Sequence, residues 1–154
     1  MRRSAICLVL FFALALSMPA RAATGRVIKV LPHFLDLKGR NSISPSLYDR
    51  DAYQAQLRLH PEQRSTMRFD VQWKSKSPVW EALKLRLELR GVAPGNLPKQ
   101  LALEIPLEPS GWLSHWDSLP LTSEQYRDLG EVTAWRATLW EGAQLLGEQK
   151  SFLW

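Results

Sequence analysis

Three histidines, His33, His60 and His115, are the side chains of this 154-residue protein best suited to acid–base or metal chemistry. They are scattered and form neither an HxH nor an HExxH spacing, and a metal site needs convergent ligands. Each is therefore expected in a structural or surface role, and no metal or cofactor is expected. In "YDRDAY" the carboxylates Asp49 and Asp51 stand two apart, a spacing that suits a metal or a hydrolase pair. No third acidic ligand lies nearby, and Asp51 has a plainer use as a helix cap. The chain carries no GxSxG elbow, P-loop or glycine-rich dinucleotide fingerprint. An enzyme of unknown class is left only as an arrangement that folding alone would assemble.

Tryptophan is the heavier clue, with seven in one small chain. In "SGWLSHWDS" period-two spacing puts Trp112 and Trp116 on one strand face with Ser114 between them. His115 and Asp117 fall on the other face. Flat aromatics beside short polar groups stack on sugar rings or anchor a protein partner. Trp112, His115 and Trp116 are thus the candidate partner- or glycan-binding residues. The plainer alternative is that both indoles cover an end of the core. Trp73, Trp135 and Trp154 are predicted on core faces, whereas Trp80 and Trp140 are predicted to be partly exposed.

The first residues set the compartment. Met1-Arg2-Arg3 is a short positive segment, Ile6 to Leu16 is apolar, and Ala20-Arg21-Ala22 has the small-x-small pattern of a cleavage site. The apolar run is too short to span a bilayer, which takes about 20 residues. A signal peptide over 1–22 and a single domain over 23–154 are expected, exported to the periplasm or beyond. The only cysteine, Cys7, would leave with the signal, so no disulfide is expected and the core must hold the domain. Arg2, Arg3 and Arg21 would leave too, reducing 20 basic residues to 17 against 15 acidic ones. No cluster of Lys and Arg remains to suggest nucleic acid.

Alternation identifies the strands. Met67, Phe69, Val71 and Trp73 make one apolar face, Leu83, Leu85, Leu87 and Leu89 a second, and Leu101, Leu103, Ile105 and Leu107 a third. "EVTAWRATLW" and "AQLLGEQKSFLW" read as a closing hairpin around Glu141-Gly142, with a bulge near Gly147. "RVIKVLPHFLDLKG" is apolar on both faces and broken by Pro32, which suits an edge strand. A further strand is expected around Trp112 to Leu119. Asp51 with Gln54 is predicted to cap one short helix, ending at His60-Pro61. Thr122 with Gln125 is predicted to cap another, ending at Gly130. Lys38 to Asp51 is predicted as a loop.

About seven antiparallel strands with one or two short helical insertions make an all-β chain. The pattern resembles an immunoglobulin-like or fibronectin-type sandwich, in its proline-broken first strand, its Tyr126 turn and its final hairpin. The Cys–Trp–Cys signature is absent. A terminal aromatic also suits an outer-membrane barrel, but counting back by twos from Trp154 would turn Lys150 and Glu148 toward lipid. The sandwich is favoured, with Phe152 and Trp154 expected to close its core. The sequence thus points to an exported, non-catalytic module that binds an envelope or secreted protein, by strand addition at the first or last strand. The alternative is a carbohydrate-binding module.

Overall fold

Alternation in the sequence becomes two facing sheets in the computed structural model, which describes residues 24–76, 83–108 and 113–154. The expected leader, Trp80 and Trp112 lie outside the described residues. Strands β1 (Thr24–Asp36), β2 (Arg64–Lys76) and β5 (His115–Pro120) form one sheet in the order β1-β2-β5. Strands β3 (Leu83–Ala93), β4 (Leu97–Leu107), β6 (Glu131–Glu141) and β7 (Gln144–Lys150) form the other, in the order β4-β3-β6-β7. Every neighbouring pair is antiparallel. This is the predicted all-β, antiparallel seven-stranded sandwich with two short helical insertions. The fourth strand lies beside the third, where an immunoglobulin constant domain would carry it on the first sheet.

The inner faces are those the alternation marks. Phe69, Val71 and Trp73 of β2 meet Leu83, Leu85, Leu87 and Leu89 of β3, all nearly excluded from solvent, with Leu119, Ala137 and Leu139 beside them. Each such aliphatic side chain contributes about 1.5–3 kcal/mol by burial. The closing hairpin turns after Glu141, and its bulge lies between Leu145 and Gly147.

The two helical insertions differ in how far they follow expectation. Helix α2 (Ser123–Leu129) is capped by Thr122, whose Oγ1 accepts from Gln125 N–H at 3.1 Å while Gln125 Oε1 accepts from Thr122 N–H at 2.9 Å. It ends at Gly130 (φ +74°), where a Cβ would run into the Val92 carbonyl, so only glycine fits. Helix α1 (Leu47–Leu59) begins earlier than predicted. Its cap is Ser46, which accepts from Asp49 N–H, and Asp49 rather than Asp51 supplies the negative charge in the first turn. Asp51 lies exposed within the helix, so the predicted loop is five residues too long.

Gln54 has a different task from the predicted capping box. Its side-chain amide accepts from Phe34 N–H at 2.8 Å and donates to Phe34 O at 2.9 Å. It thereby imitates a neighbouring strand at the free edge of β1. Toward the other end of β1, Gly147 of β7 comes so close that a Cβ there would sit 2.8 Å from Arg26 Cα. The edges expected to accept a partner strand, β1 and β7, therefore approach each other closely around Gly147, and α1 covers β1 at Phe34.

The end of the chain also departs from expectation. Ser151 exchanges hydrogen bonds with the Trp135 backbone, through N–H to O at 2.9 Å and through Oγ from N–H at 3.0 Å. The chain then turns, which leaves Phe152 fully exposed and carries Trp154 onto the outer face of the four-stranded sheet. There Trp154 stacks beneath Arg90 and Arg136, with guanidinium carbons 4.2 and 5.0 Å from its ring centroid. Neither residue closes the core.

One charged side chain ties these insertions to the sandwich. Arg64, at the start of β2, is 3% exposed along its side chain. Its Nε and Nη2 donate to the carbonyls of Leu57 and Arg58, the last turn of α1. Nη1 reaches Glu131 Oε2 at 3.1 Å and lies 3.4 Å from the Tyr126 hydroxyl, and the guanidinium sits 4.0 Å from the Phe34 ring centroid. Arg64→Ala is expected to lower unfolding stability by about 3 kcal/mol, as for removal of one partner from a buried charged network. Urea unfolding measures this, and a loss below about 1 kcal/mol would show that the network contributes little net stability.

Candidate functional site

The outer face of the three-stranded sheet carries the candidate site. Register places Leu31 of β1 beside Asp70 of β2, and Asp70 beside Ser118 of β5. Trp116 lies two residues before Ser118 on the same face, opposite Gln72. Asn41, from the β1–α1 connection, and Arg50, from the first turn of α1, overhang this floor. Together with His33 they line an open groove of about 360 Å³.

The overhang is held by a buried carboxylate. Asp36 closes β1 and accepts from Lys38 N–H, Arg40 N–H and the Tyr53 hydroxyl, each at 2.8 Å, and from the Arg40 guanidinium. Gln54 adds a bond to Asn41 O at 2.8 Å, fixing Asn41 over the groove. Burial alone would raise the Asp36 pKa. The hydrogen bonds from Arg40, Tyr53 and Lys38 outweigh it and hold the pKa at about 2.

Asp70 is the centre of the floor. Ser118 Oγ donates to its Oδ1 at 2.6 Å, Arg68 donates to Oδ2 at 2.9 Å, and His33 Nε2 stands 3.5 Å from Oδ2. Burial lowers the His33 pKa, and Arg50 and Arg68 nearby add to that, against the pull of Asp70. The balance favours the neutral imidazole over its charged form. Serine, aspartate and histidine are brought together, yet in an order unlike a nucleophile relay. There the base stands between hydroxyl and carboxylate. Here the carboxylate stands between the other two, so the serine proton is already engaged by Asp70. The arrangement makes a rigid polar floor.

The predicted residues separate. Trp116 is 48% exposed and forms the groove's aromatic wall. His115 lies on the opposite face, its ring 5.7 Å from that of Trp73. Asp117 shares that inner side and accepts from Trp73 Nε1 at 2.6 Å. Trp112 lies outside the described residues. The remaining lining residues escaped sequence reasoning because they come from five separate segments. The signal available was the double-faced apolarity of β1, which leaves Leu31 on the outer face. Among the described residues, no group of three His, Cys, Asp or Glu could hold a metal ion, and no helix is long and apolar enough to cross a membrane.

A second cavity, of about 450 Å³, lies on the outer face of the other sheet, beside Arg86, Arg90, Arg136 and Trp154. Its charge is largely internal. Glu88 accepts from both Arg86 and Arg136, and Arg86 also reaches Glu104 at 3.2 Å. Burial would raise the Glu88 pKa, but Arg136 and Arg86 prevail and lower it. No protein-family model, curated protein or solved structure matches this chain. The chemistry of the two surfaces is therefore the guide to function.

The Asp36 cluster predicts acid sensitivity. Its folded-state pKa lies below the ordinary 3.8, so its stabilisation is complete above about pH 4 and is lost as the pH falls toward about 2. The contribution is on the order of 2 kcal/mol. Unfolding stability measured from about pH 5 to about pH 2, roughly the carboxylate range, should fall more steeply for the parent than for Asp36→Asn. Parallel slopes would refute the assignment.

Proposed function

We propose that this protein is an exported, non-catalytic sandwich module that binds another envelope or secreted protein through the Trp116 groove. The observation that carries the reading is the half-exposed indole of Trp116, set beside Leu31 on a floor whose carboxylate is already engaged. An exposed aromatic on a pre-ordered surface loses little side-chain entropy on binding. Tryptophan and arginine are also the residues most often found as interface anchors, and Arg50 supplies the second. The signal-like pattern of residues 1–22 supports export, and the protein's single cysteine precludes an internal disulfide.

A second reading is favoured by the groove's rim. Asn41, Arg50, Asp70 and Ser118 surround the indole with donors and acceptors, as a sugar ring stacked on Trp116 would require. In that case the ligand is a glycan of the envelope or of another cell's surface.

Cross-linked capture from the envelope fraction of the native host, with the parent chain and with Trp116→Ala as baits, separates these readings. The expected result is one protein retained by the parent and bound about 30-fold more weakly by the variant, as for loss of an anchor worth about 2 kcal/mol. Retention unchanged by the substitution would remove the groove from protein binding. A glycan panel that quenches the parent's tryptophan fluorescence, but not that of Trp116→Ala, would establish the second reading instead.

A further inference from the structure

Among the described residues β1 and β7 approach each other around Gly147, α1 covers β1 at Phe34, and β5 is short, so the long sheet edge left to consider is that of β4. It pairs with β3 on one side and ends the four-stranded sheet on the other. Pro98 stands opposite Val92 and Pro106 opposite Lys84. A proline has no N–H to give to β3, so residues of this phase turn their backbone groups away from it. Gln100, Ala102 and Glu104 share the phase and present complete N–H and C=O pairs along the free edge. The other phase is apolar and only partly covered. Leu101, Leu103 and Ile105 are half-buried, while their β3 partners Leu89, Leu87 and Leu85 are at most 1% exposed. Leu97 is 57% exposed. A lone edge is usually blunted near its middle by charge or proline. Here the middle reads Leu-Ala-Leu, and the prolines stand only at the ends.

We infer that β4 pairs antiparallel with β4 of a second copy of this chain, about a two-fold axis at Ala102, joining two four-stranded sheets into one of eight. The edge complements itself in this register. Ala102 faces its own mate without bulk, and Gln100 of each copy faces Glu104 of the other, an amide donor against a carboxylate. The carboxylate oxygens of Glu104 already receive Lys84 at 3.3 Å and Arg86 at 3.2 Å. A carboxylate has about four acceptor positions, so room for the amide remains. Leu101 meets Leu103 of the mate on the inner side, covering the stripe that β3 leaves half open. Three facing pairs of backbone groups give about six new hydrogen bonds. Each copy spends its one open long edge, so the contact is isologous and closes at two. This surface is separate from the Trp116 groove, and neither reading depends on the other.

Sedimentation of the full chain over a concentration series tests the proposal, alongside Ala102→Pro. That substitution removes an N–H only from the free edge, in the phase where Pro98 and Pro106 already sit. The expected result is a reversible dimer for the parent and dissociation strengthened at least tenfold by Ala102→Pro, with circular dichroism unchanged. In a Cys7→Ser background, Ala102→Cys should oxidise to a covalent dimer, since its mate's Cα would lie about 5.5 Å away. Gln100→Cys should not, its own mate being about 14 Å away along the strands. These thiol variants decide the matter even if Ala102→Pro fails to fold. A parent that stays monomeric at every concentration overturns the proposal and leaves the edge to an extended peptide of another protein. A dimer indifferent to Ala102→Pro, or cross-linked through position 100 and not 102, overturns it equally.

Discussion

A buried guanidinium cannot be left with idle donors, and the satisfaction of Arg64 organises much of one end of this sandwich. Desolvating an unpaired arginine would cost several kcal/mol. Arg64 avoids that cost by spending Nε and Nη2 on the last carbonyls of α1 and Nη1 on Glu131, with Phe34 beneath its plane. Those carbonyls have no partner within the helix itself. The same contact therefore satisfies the arginine, ends the helix and fixes its position beside β1. Because α1 is fixed there, Gln54 can meet the Phe34 backbone, and Arg50 and Asn41 can overhang the outer face. The groove is thus a remote consequence of how one cation is buried.

Strands were legible in the sequence because a sheet buried on one face imposes a period of two that local reading detects. The leucines of β3 and the Met67–Trp73 set of β2 are buried as that period requires. Helix α2 was equally legible, since Thr122, Gln125 and Gly130 act through bonds within a few residues. The start of helix α1 was misplaced by five residues for a physical reason. Asp51 and Gln54 have capping-box spacing, but Gln54 gains more from the Phe34 edge, 20 residues away, than from the helix start. Phe152 and Trp154 were misread similarly. Alternation was carried past Lys150, where the Ser151–Trp135 bonds turn the chain off the sheet.

Of the candidate site, the sequence disclosed Trp116 and little else. Its groove draws on β1, the following loop, α1, β2 and β5, which meet only through the register of three strands and the Arg64 anchor. His115 illustrates the limit of face arithmetic. Its opposition to Trp116 was correctly read, but which of the two faces pointed inward depended on pairing with Trp73.

Edge protection gives the fold its asymmetry. A sandwich of two open sheets has four edges, and each exposes backbone groups that seek a partner. One side of this molecule meets that demand in part from within the chain. Gly147 admits β1 against β7 because it lacks a side chain, and Gln54 supplies an amide where the strands have parted. On the other side β5 is short, running only from His115 to Pro120, and little edge remains to protect. β4 is nearly twice that length and has its prolines at its ends. Proline at an end limits how far a neighbouring strand can extend, whereas proline at the centre forbids one. The placement in β4 therefore bounds an addition of defined length and does not prevent it. The two sides of the sandwich thus answer the same electrostatic demand in different ways, one by close packing and a side-chain amide and the other by leaving a window of fixed register.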